Sequence, residues 1–394
     1  MAQAPYLQLS GFYFFWFATL GAVLPYWGLY LRDSGYSASQ IGSLFAALMG
    51  TKIVAPYVWG WIADHRGERI GIIRLAAVLT LGVFSLIPYA DSFLWMLCFM
   101  TVYGFFWNAS LPQVEAVTFN YLGDREEHYG RIRLWGSIGF ILSVTTLGWL
   151  LQRYGLAPLP LWILASLGGV LAISVLLQER SADVTHAHAG GLWQVVRRKE
   201  VMALLLACML MQMSHGPYYT FFSIYLEDHG YSREKIGLLW SLGVIAEIAV
   251  FLAMPLLARR IGMRRLFLWA VAITVLRWFL LSGFVDHPVI IVCVQLMHLA
   301  SFGLYHAVAV NLVHRFFRGR LQGRGQALYS SVSFGVGGGL GSLMSGYLWE
   351  WLSPSLNYAV AAVVAALAWG LCLWLLRLEE NGQGGSARTV SALS

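Results

Sequence analysis

The chain has 394 residues, of which 58% are hydrophobic and 11% charged, with a net charge of +7 and a mean hydropathy of +0.65. Soluble domains carry about 25% charged residues, so these values exclude a water-soluble globular enzyme. A membrane-crossing helix needs about 20 apolar residues, and twelve such stretches follow one another from Leu9–Leu31 to Tyr358–Leu376 with short polar gaps between them. Too little chain remains for a separate soluble domain.

Taken in chain order, the first stretch reads as a span and not as a secretory leader. Residues 1–10 hold no Lys or Arg, and no small-residue cleavage pattern follows a short apolar core. Cys98, Cys208, Cys293 and Cys372 lie far apart inside apolar runs with no metal-ligand spacing, so no metal site is expected. With the amino terminus inside, 20 of the 26 Lys and Arg fall in the inner loops and termini, and Arg32, Arg153, Arg233 and Lys235 alone fall in the outer ones. The positive-inside rule therefore places both termini in the cytoplasm. An even number of spans agrees with this. The net positive charge is thereby topological and calls for no nucleic acid as partner.

The second outer stretch repeats the first. YLRDSGYSASQIGSL (Tyr30 to Leu44) matches YLEDHGYSREKIGLL (Tyr225 to Leu239) at 9 of 15 positions at an offset of 195, and the same offset carries Ala63, Gly67 and Arg69 onto Ala258, Gly262 and Arg264. The expected organisation is an all-α integral membrane protein of twelve helices in two six-helix pseudo-symmetric halves. The halves cover residues 1–178 and 200–378, with a cytoplasmic linker over 179–199 and a flexible cytoplasmic tail over 379–394. Halves repeated in one orientation place a substrate site between them near the middle of the membrane.

Charges within the spans are few, and each is costly to bury: about 2.5 to 3.5 kcal/mol at the bilayer centre on insertion scales. They are Lys52 in span two, Glu115 in span four, Arg133 at the start of span five, His215 in span seven, Glu247 in span eight, Arg277 in span nine, and His298 and His306 in span ten. Glu115 and Glu247 are the carboxylates placed to carry a proton, one in each half. Lys52 and Arg133 are candidates to hold a substrate carboxylate, which needs a cation in a low-dielectric site. Glu247, Arg277 and His298 read as a proton relay, with His306 two turns beyond His298 on one helix face. Tyr26, Trp107 and Tyr329 are aromatic candidates for stacking on a substrate ring. The glycines from Gly335 to Gly346 read as close helix packing, because no strand or following Lys-Ser/Thr completes a phosphate loop.

GWIADHRGER (residues 60–69) resembles the G-x-x-x-D-x-x-G-x-R loop of the major facilitator superfamily, and PLLARRIGMRR (255–265) is its degenerate second copy. The resemblance implies a major facilitator fold and a gating role for Asp64 and Arg69. Arg259 stands where the second copy would have its Asp. PQVEA (112–116), with Arg133 of GRIRLWGSIGF eighteen residues after Glu115, is similar to the lactose permease branch, where the matching Glu and Arg bind substrate. Arg277 matches the branch's span-nine Arg, and His298 its span-ten His with one residue inserted. The branch's proton-carrying Glu is Ser301 here, its second-half Glu aligns with Val244, and its sugar-stacking Trp becomes Phe140. YGRIRLWGSIGF, TKIVAP and QLMHLASFGLYHA (295–307) resemble the phenylpropionate permease family over essentially all twelve spans.

That resemblance implies proton-coupled uptake of a small aromatic carboxylate such as 3-phenylpropionate by a monomer in the bacterial inner membrane. No cofactor is implied, since the proton gradient drives transport. The competing reading is proton symport of a neutral oligosaccharide or nucleoside. Drug efflux by antiport is disfavoured because GSIGFILSVTTLGW (136–149) has none of the Pro expected in that branch's span five. No nucleotide loop, metal cluster or nucleophile–base spacing supports an enzyme.

Overall fold

The computed structural model describes residues 5–123, 125–179 and 191–391, and no strand occurs among them. The first half consists of α1 (Tyr6–Asp33), α2 (Ala38–Arg66), α3 (Ile70–Ser85), α4 (Phe93–Leu122), α5 (Tyr129–Tyr154) and α6 (Pro158–Leu176). The second consists of α7 (Lys199–Asp228), α8 (Arg233–Ile261), α9 (Met263–Gly283), α10 (Pro288–Phe316), α11 (residues 322–351) and α12 (Pro354–Trp374). Eleven of these are long and apolar enough to cross a membrane. The remaining one, α11, is rich in Gly and Ser, but its successive helical stretches of 9, 7 and 14 residues reach about 45 Å at 1.5 Å per residue. Of the expected linker, residues 180–190 lie outside the described residues and Leu192–Val196 forms a short helix. Where a flexible tail is expected, the last helix continues to Ser391, and residues 392–394 lie outside the described residues.

The repeat seen in the sequence is a repeat in space. Shifted by 195 residues, the bounds of α2 become those of α8, and the end of α1 at Asp33 becomes the end of α7 at Asp228. The helix punctuation is shared as well. Ser37 and Ser232 each cap the following helix through the side-chain oxygen, accepting from Gln40 N and Lys235 N. Gly67 and Gly262 terminate α2 and α8 at positive φ, 68° and 84°, where a side chain would be strained.

The second half departs from regular helix at three places. His215 separates α7 into Lys199–Ser214 and Gly216–Asp228, because Pro217 has no N–H to continue the ladder. In α10 the stretch Leu299–Leu304 is π-helical, and so is Ser331–Gly337 in α11. Such segments are frequent at functional sites.

Glycines set how closely the halves approach. A Cβ on Gly42 of α2 would lie 2.6 Å from Ser342 O and 2.7 Å from Gly346 Cα of α11. On Gly237 of α8 it would lie 2.6 Å from Val144 O of α5. The glycine cluster of α11 is thus a packing surface, as the sequence indicates.

The ends joining α1 to α2 and α7 to α8 carry an ionic lock between the halves. Arg32 bonds both Glu227 and Asp228, Arg233 reaches Glu227 at 2.6 Å and Leu151 O at 3.0 Å, and Glu350 accepts from Ser39 N at 3.0 Å. Arg32 and Glu227 are repeat equivalents, 195 residues apart, so this pair sits where the two halves place corresponding residues face to face. Single exposed pairs contribute little, but a shared network holds several groups at once. Arg32→Gln is expected to lengthen the distance between spin labels at Ser34 and Glu234, measured by pulsed electron resonance. An unchanged distance distribution would show that glycine packing alone closes this end.

Candidate functional site

Arg277 of α9 is completely buried, and it is solvated by neutral acceptors. Its guanidinium donates to Val294 O (2.9 Å), Ser301 Oγ (2.8 Å), Gln295 Oε1 (3.2 Å) and His298 Nδ1 (2.9 Å). Tyr218 and Trp278 cover its faces, with ring centroids 4.3 and 4.6 Å from Cζ. Tyr218 also donates to Gln295 Oε1 at 3.0 Å.

An Arg has donors only, so His298 Nδ1 must accept and the imidazole proton must sit on Nε2. That nitrogen faces Glu247 Oε1 of α8 at 2.6 Å. The order is therefore Arg277, His298, Glu247, with the imidazole as a neutral bridge between a buried cation and a carboxylate. Adding a proton to His298 would set an N–H against the Arg277 N–H, so the group with room for a proton is Glu247. Among the described residues Glu247 has no other bond.

The local backbone makes this contact possible. Gly303 in the π-helical stretch has no side chain to hold α8 away: a Cβ there would lie 2.8 Å from Val250 Cγ1 and 3.4 Å from Glu247 Cγ. Gly243 on α8 likewise leaves room for His298, whose Cδ2 would be 3.2 Å from an added Cβ.

His306 is not hydrogen-bonded into the relay, contrary to the sequence expectation. Its Nδ1 lies 2.9 Å from Tyr329 Oη, and it joins His298 only through Phe302, which stacks on both imidazoles at 5.6 Å and 10°. The shared face expected from the spacing is present, but an aromatic ring fills the middle of it and carries no exchangeable proton.

In the first half Glu115 and Arg133, expected to bind substrate, form no ion pair with each other and make separate contacts. Glu115 Oε1 accepts from Tyr129 Oη at 3.2 Å, while the Arg133 guanidinium lies 3.8 Å from the Phe17 ring centroid and 5.9 Å from that of Tyr13. Arg133 lies on α5, which packs against α8 at the junction of the halves. Lys52 lies across that junction too, with its ammonium 5.6 Å from the Phe334 ring centroid of α11. Among the described residues neither Lys52 nor Arg133 has a carboxylate partner.

Three other sequence candidates sit outside this cluster. Tyr26 is fully buried with its hydroxyl donating to Val144 O at 2.8 Å, which ties α1 to α5. Trp107 is stacked on Trp16 at 4.4 Å within the first half. Both are packing residues here, because their polar atoms or faces are already occupied. Tyr329 is buried beneath His306. Asp64 and Arg69 do pair, at 2.7 Å, and Arg69 also donates to Gln113 Oε1 of α4 at 2.6 Å. Glu179, just beyond α6, accepts from the N–H groups of Arg69 and Ile70, so this loop ties α2, α3, α4 and the end of α6 together.

Sequence reasoning passed over Phe17, Tyr129, Tyr218, Gln295, Phe302 and Phe334. Gln295, His298, Ser301 and Phe302 share one helix face by spacing, a usable signal. Nothing in the spacing singles out Phe17 among so many aromatic residues.

The model of the MFS_1 like family matches residues 6–360. The chain belongs to the MFS_1 like family. This transporter is 29% identical over 365 residues to the probable 3-phenylpropionic acid transporter of Escherichia coli (strain K12), covering 89% of this chain and 93% of that one. It is 26% identical over 389 residues to the maltose permease of Geobacillus stearothermophilus, covering 95% of each. Among solved structures it resembles the nucleoside transporter NupG with a TM-score of 0.83 at 15% identity, over 94% of this chain and 98% of that one. A bacterial homologue of the lysosomal transporter Spinster, inward-facing and unoccupied, matches with a TM-score of 0.73 at 12% identity, over 95% and 98%. These likenesses establish a multi-pass membrane transporter of major facilitator fold, not an enzyme.

Removing a donor and leaving its buried acceptors unsatisfied costs about 1 to 3 kcal/mol for each. Arg277→Met is accordingly expected to lower the unfolding temperature of the detergent-solubilised transporter clearly more than Arg133→Met, whose guanidinium has only aromatic faces to lose. Equal shifts would contradict the assignment of Arg277 as the anchor of the site.

Proposed function

We propose that this transporter takes up a small organic anion together with a proton, by alternating access, and that the anion is 3-phenylpropionate or a related aromatic acid. The observation that carries this reading is the pair of cations, Lys52 and Arg133, that rest on aromatic rings and, among the described residues, form no ion pair with a carboxylate. A cation in an apolar site draws an anion to it, and a guanidinium can hold a carboxylate through two parallel bonds.

Charge balance supports coupling. Lys52, Arg133 and Arg277 oppose Glu115 and Glu247, leaving an excess of one positive charge in the empty carrier. Binding one monoanion and one proton, the latter on Glu247, restores that same excess. Binding either alone changes it, and moving an altered buried charge through the closing site is expensive. The fully loaded and the empty forms are therefore the two that cross easily.

With the termini inside, as the distribution of Lys and Arg supports, the ionic lock between Arg32 and Glu227 lies on the outer side. The form described is then closed on its outer side, with the substrate site between the halves. Asp64 and Arg69 lie on the inner side and serve the complementary closure. The relation to the maltose permease favours a second reading, proton symport of a neutral solute. In that case Lys52 and Arg133 would donate to hydroxyl groups and their charge would matter little.

Uptake of radiolabelled 3-phenylpropionate into proteoliposomes under an inward proton gradient separates the two. Accumulation that collapses with an uncoupler and ignores maltose and nucleoside competitors is the expected result; transport of a competitor in its place would move the substrate to the neutral class. Glu247→Gln is expected to lose proton-driven accumulation while retaining exchange of labelled for unlabelled acid. Arg133→Lys keeps the charge but loses the planar fork, and it is expected to weaken binding. Unchanged affinity would leave Arg133 a purely structural role over Phe17.

A further inference from the structure

We propose that Phe334 determines specificity for an aromatic ring, resting on the anion reading above: it holds the Lys52 ammonium in the empty carrier and offers its face to the substrate's ring once the carboxylate has drawn Lys52 away. The argument begins with the backbone. Phe334 sits inside the π-helical stretch Ser331–Gly337 of α11. Directly beside it, Gly335 lets α11 touch α2: a Cβ there would lie 2.6 Å from Ile53 Cγ1 and 3.2 Å from Ile53 N. Ser331 Oγ donates to Lys52 O at 3.4 Å. The two helices are therefore held together at residues 52 and 53, which fixes the ammonium over the Phe334 ring at 5.6 Å.

Phe334 also differs from its aromatic neighbours in what it leaves uncovered. Tyr218, Trp278, Tyr305 and Tyr329 are fully buried, whereas Phe334 and Phe302 are only half-buried. Phe302 meets Phe334 at 6.3 Å in an edge-to-face contact, and His306 does the same at 5.7 Å. Tyr329 makes a third such contact at 6.1 Å, so these rings form a corner around Phe334, with the Lys52 ammonium against a ring that stays half-buried. Aromatic pairs prefer offset or edge-to-face contacts with a defined geometry, so a planar substrate ring fits such a corner better than a puckered one.

Repeat symmetry explains why Lys52 lacks a counter-charge. Its equivalent 195 residues later is Glu247, which is engaged by His298 on α10. A cation–π contact is weaker than a charge-assisted bond to a carboxylate, so an arriving carboxylate displaces Phe334 as the partner of Lys52. The ring face is freed in the same step. The acid this fits has its carboxylate a short, flexible chain away from an unsubstituted aryl ring.

The test compares binding of 3-phenylpropionate and 3-cyclohexylpropionate to the purified full-length transporter by equilibrium dialysis. These two acids match in charge and chain length and differ in the ring. The expected result is a preference for the aryl over the cyclohexyl acid, read as the ratio of the two affinities, that falls by about five- to tenfold in Phe334→Leu and is kept in Phe334→Trp, with the cyclohexyl acid still bound by both. The retained Trp variant and the cyclohexyl acid together guard against simple misfolding of the Leu variant. A wild-type preference that survives intact in Phe334→Leu overturns the assignment of Phe334 and leaves the anion reading standing. Binding of neither acid by the wild type overturns both.

Discussion

A guanidinium enclosed by protein must find every one of its donors a partner, and the way Arg277 meets that demand organises the second half. Its acceptors come from α10: Val294 O, Gln295, His298 and Ser301. Ser301 lies in the π-helical stretch that begins at Leu299, and Gly303 in the same stretch admits α8 closely enough for Glu247 to reach His298. Because Arg277 donates to one imidazole nitrogen, the other must present its hydrogen to the carboxylate. The cation thus sets the tautomer of His298, the direction of its bond and Glu247 as the member of this trio with room for a proton. A direct Arg–Glu contact would have neutralised Glu247 more firmly. An intervening neutral imidazole leaves it tied to the cation only at one remove.

The two halves show how a repeat can diverge into a machine with direction. Helix bounds, serine caps and terminal glycines persist at the offset of 195, because backbone requirements are the same in both copies. The charges at equivalent positions have become opposite. Arg32 faces Glu227 at the locked end, and Lys52 corresponds to Glu247 at the level of the site. Opposed charges at equivalent places in the two halves give one wall with free cations and another with a carboxylate, the asymmetry on which the proposed coupling rests. Irregular helix is concentrated in the second half, at His215, Leu299–Leu304 and Ser331–Gly337.

Much of this was legible in the sequence. Hydropathy marks the spans, the repeat gives their pairing, and the cost of intramembrane charge singles out Lys52, Glu115, Arg133, Glu247, Arg277 and His298. The break at His215 was legible from the Gly-Pro that follows it. Partners were harder. Glu115 and Arg133 are singled out by their spacing as substrate-binding candidates, but not their neighbours: tertiary packing gives Tyr129 to one and Phe17 to the other. His298 and His306 share a face, but spacing alone cannot say that Phe302 separates them. Tyr26 and Trp107 illustrate the same limit for aromatic residues. In a chain this rich in rings, which of them pack and which stay accessible is decided by neighbours on other helices.

The central claim is that an anion bound at the cationic wall and a proton on Glu247 enter as one neutral load. The most direct test is to add 3-phenylpropionate to the purified transporter in unbuffered solution, at a pH where the empty carrier holds Glu247 ionised, and to follow proton uptake with an indicator dye. The account predicts uptake of about one proton per anion bound, with none in Glu247→Gln. Anion binding by the wild type with no proton uptake, or uptake that persists in the variant, would contradict it.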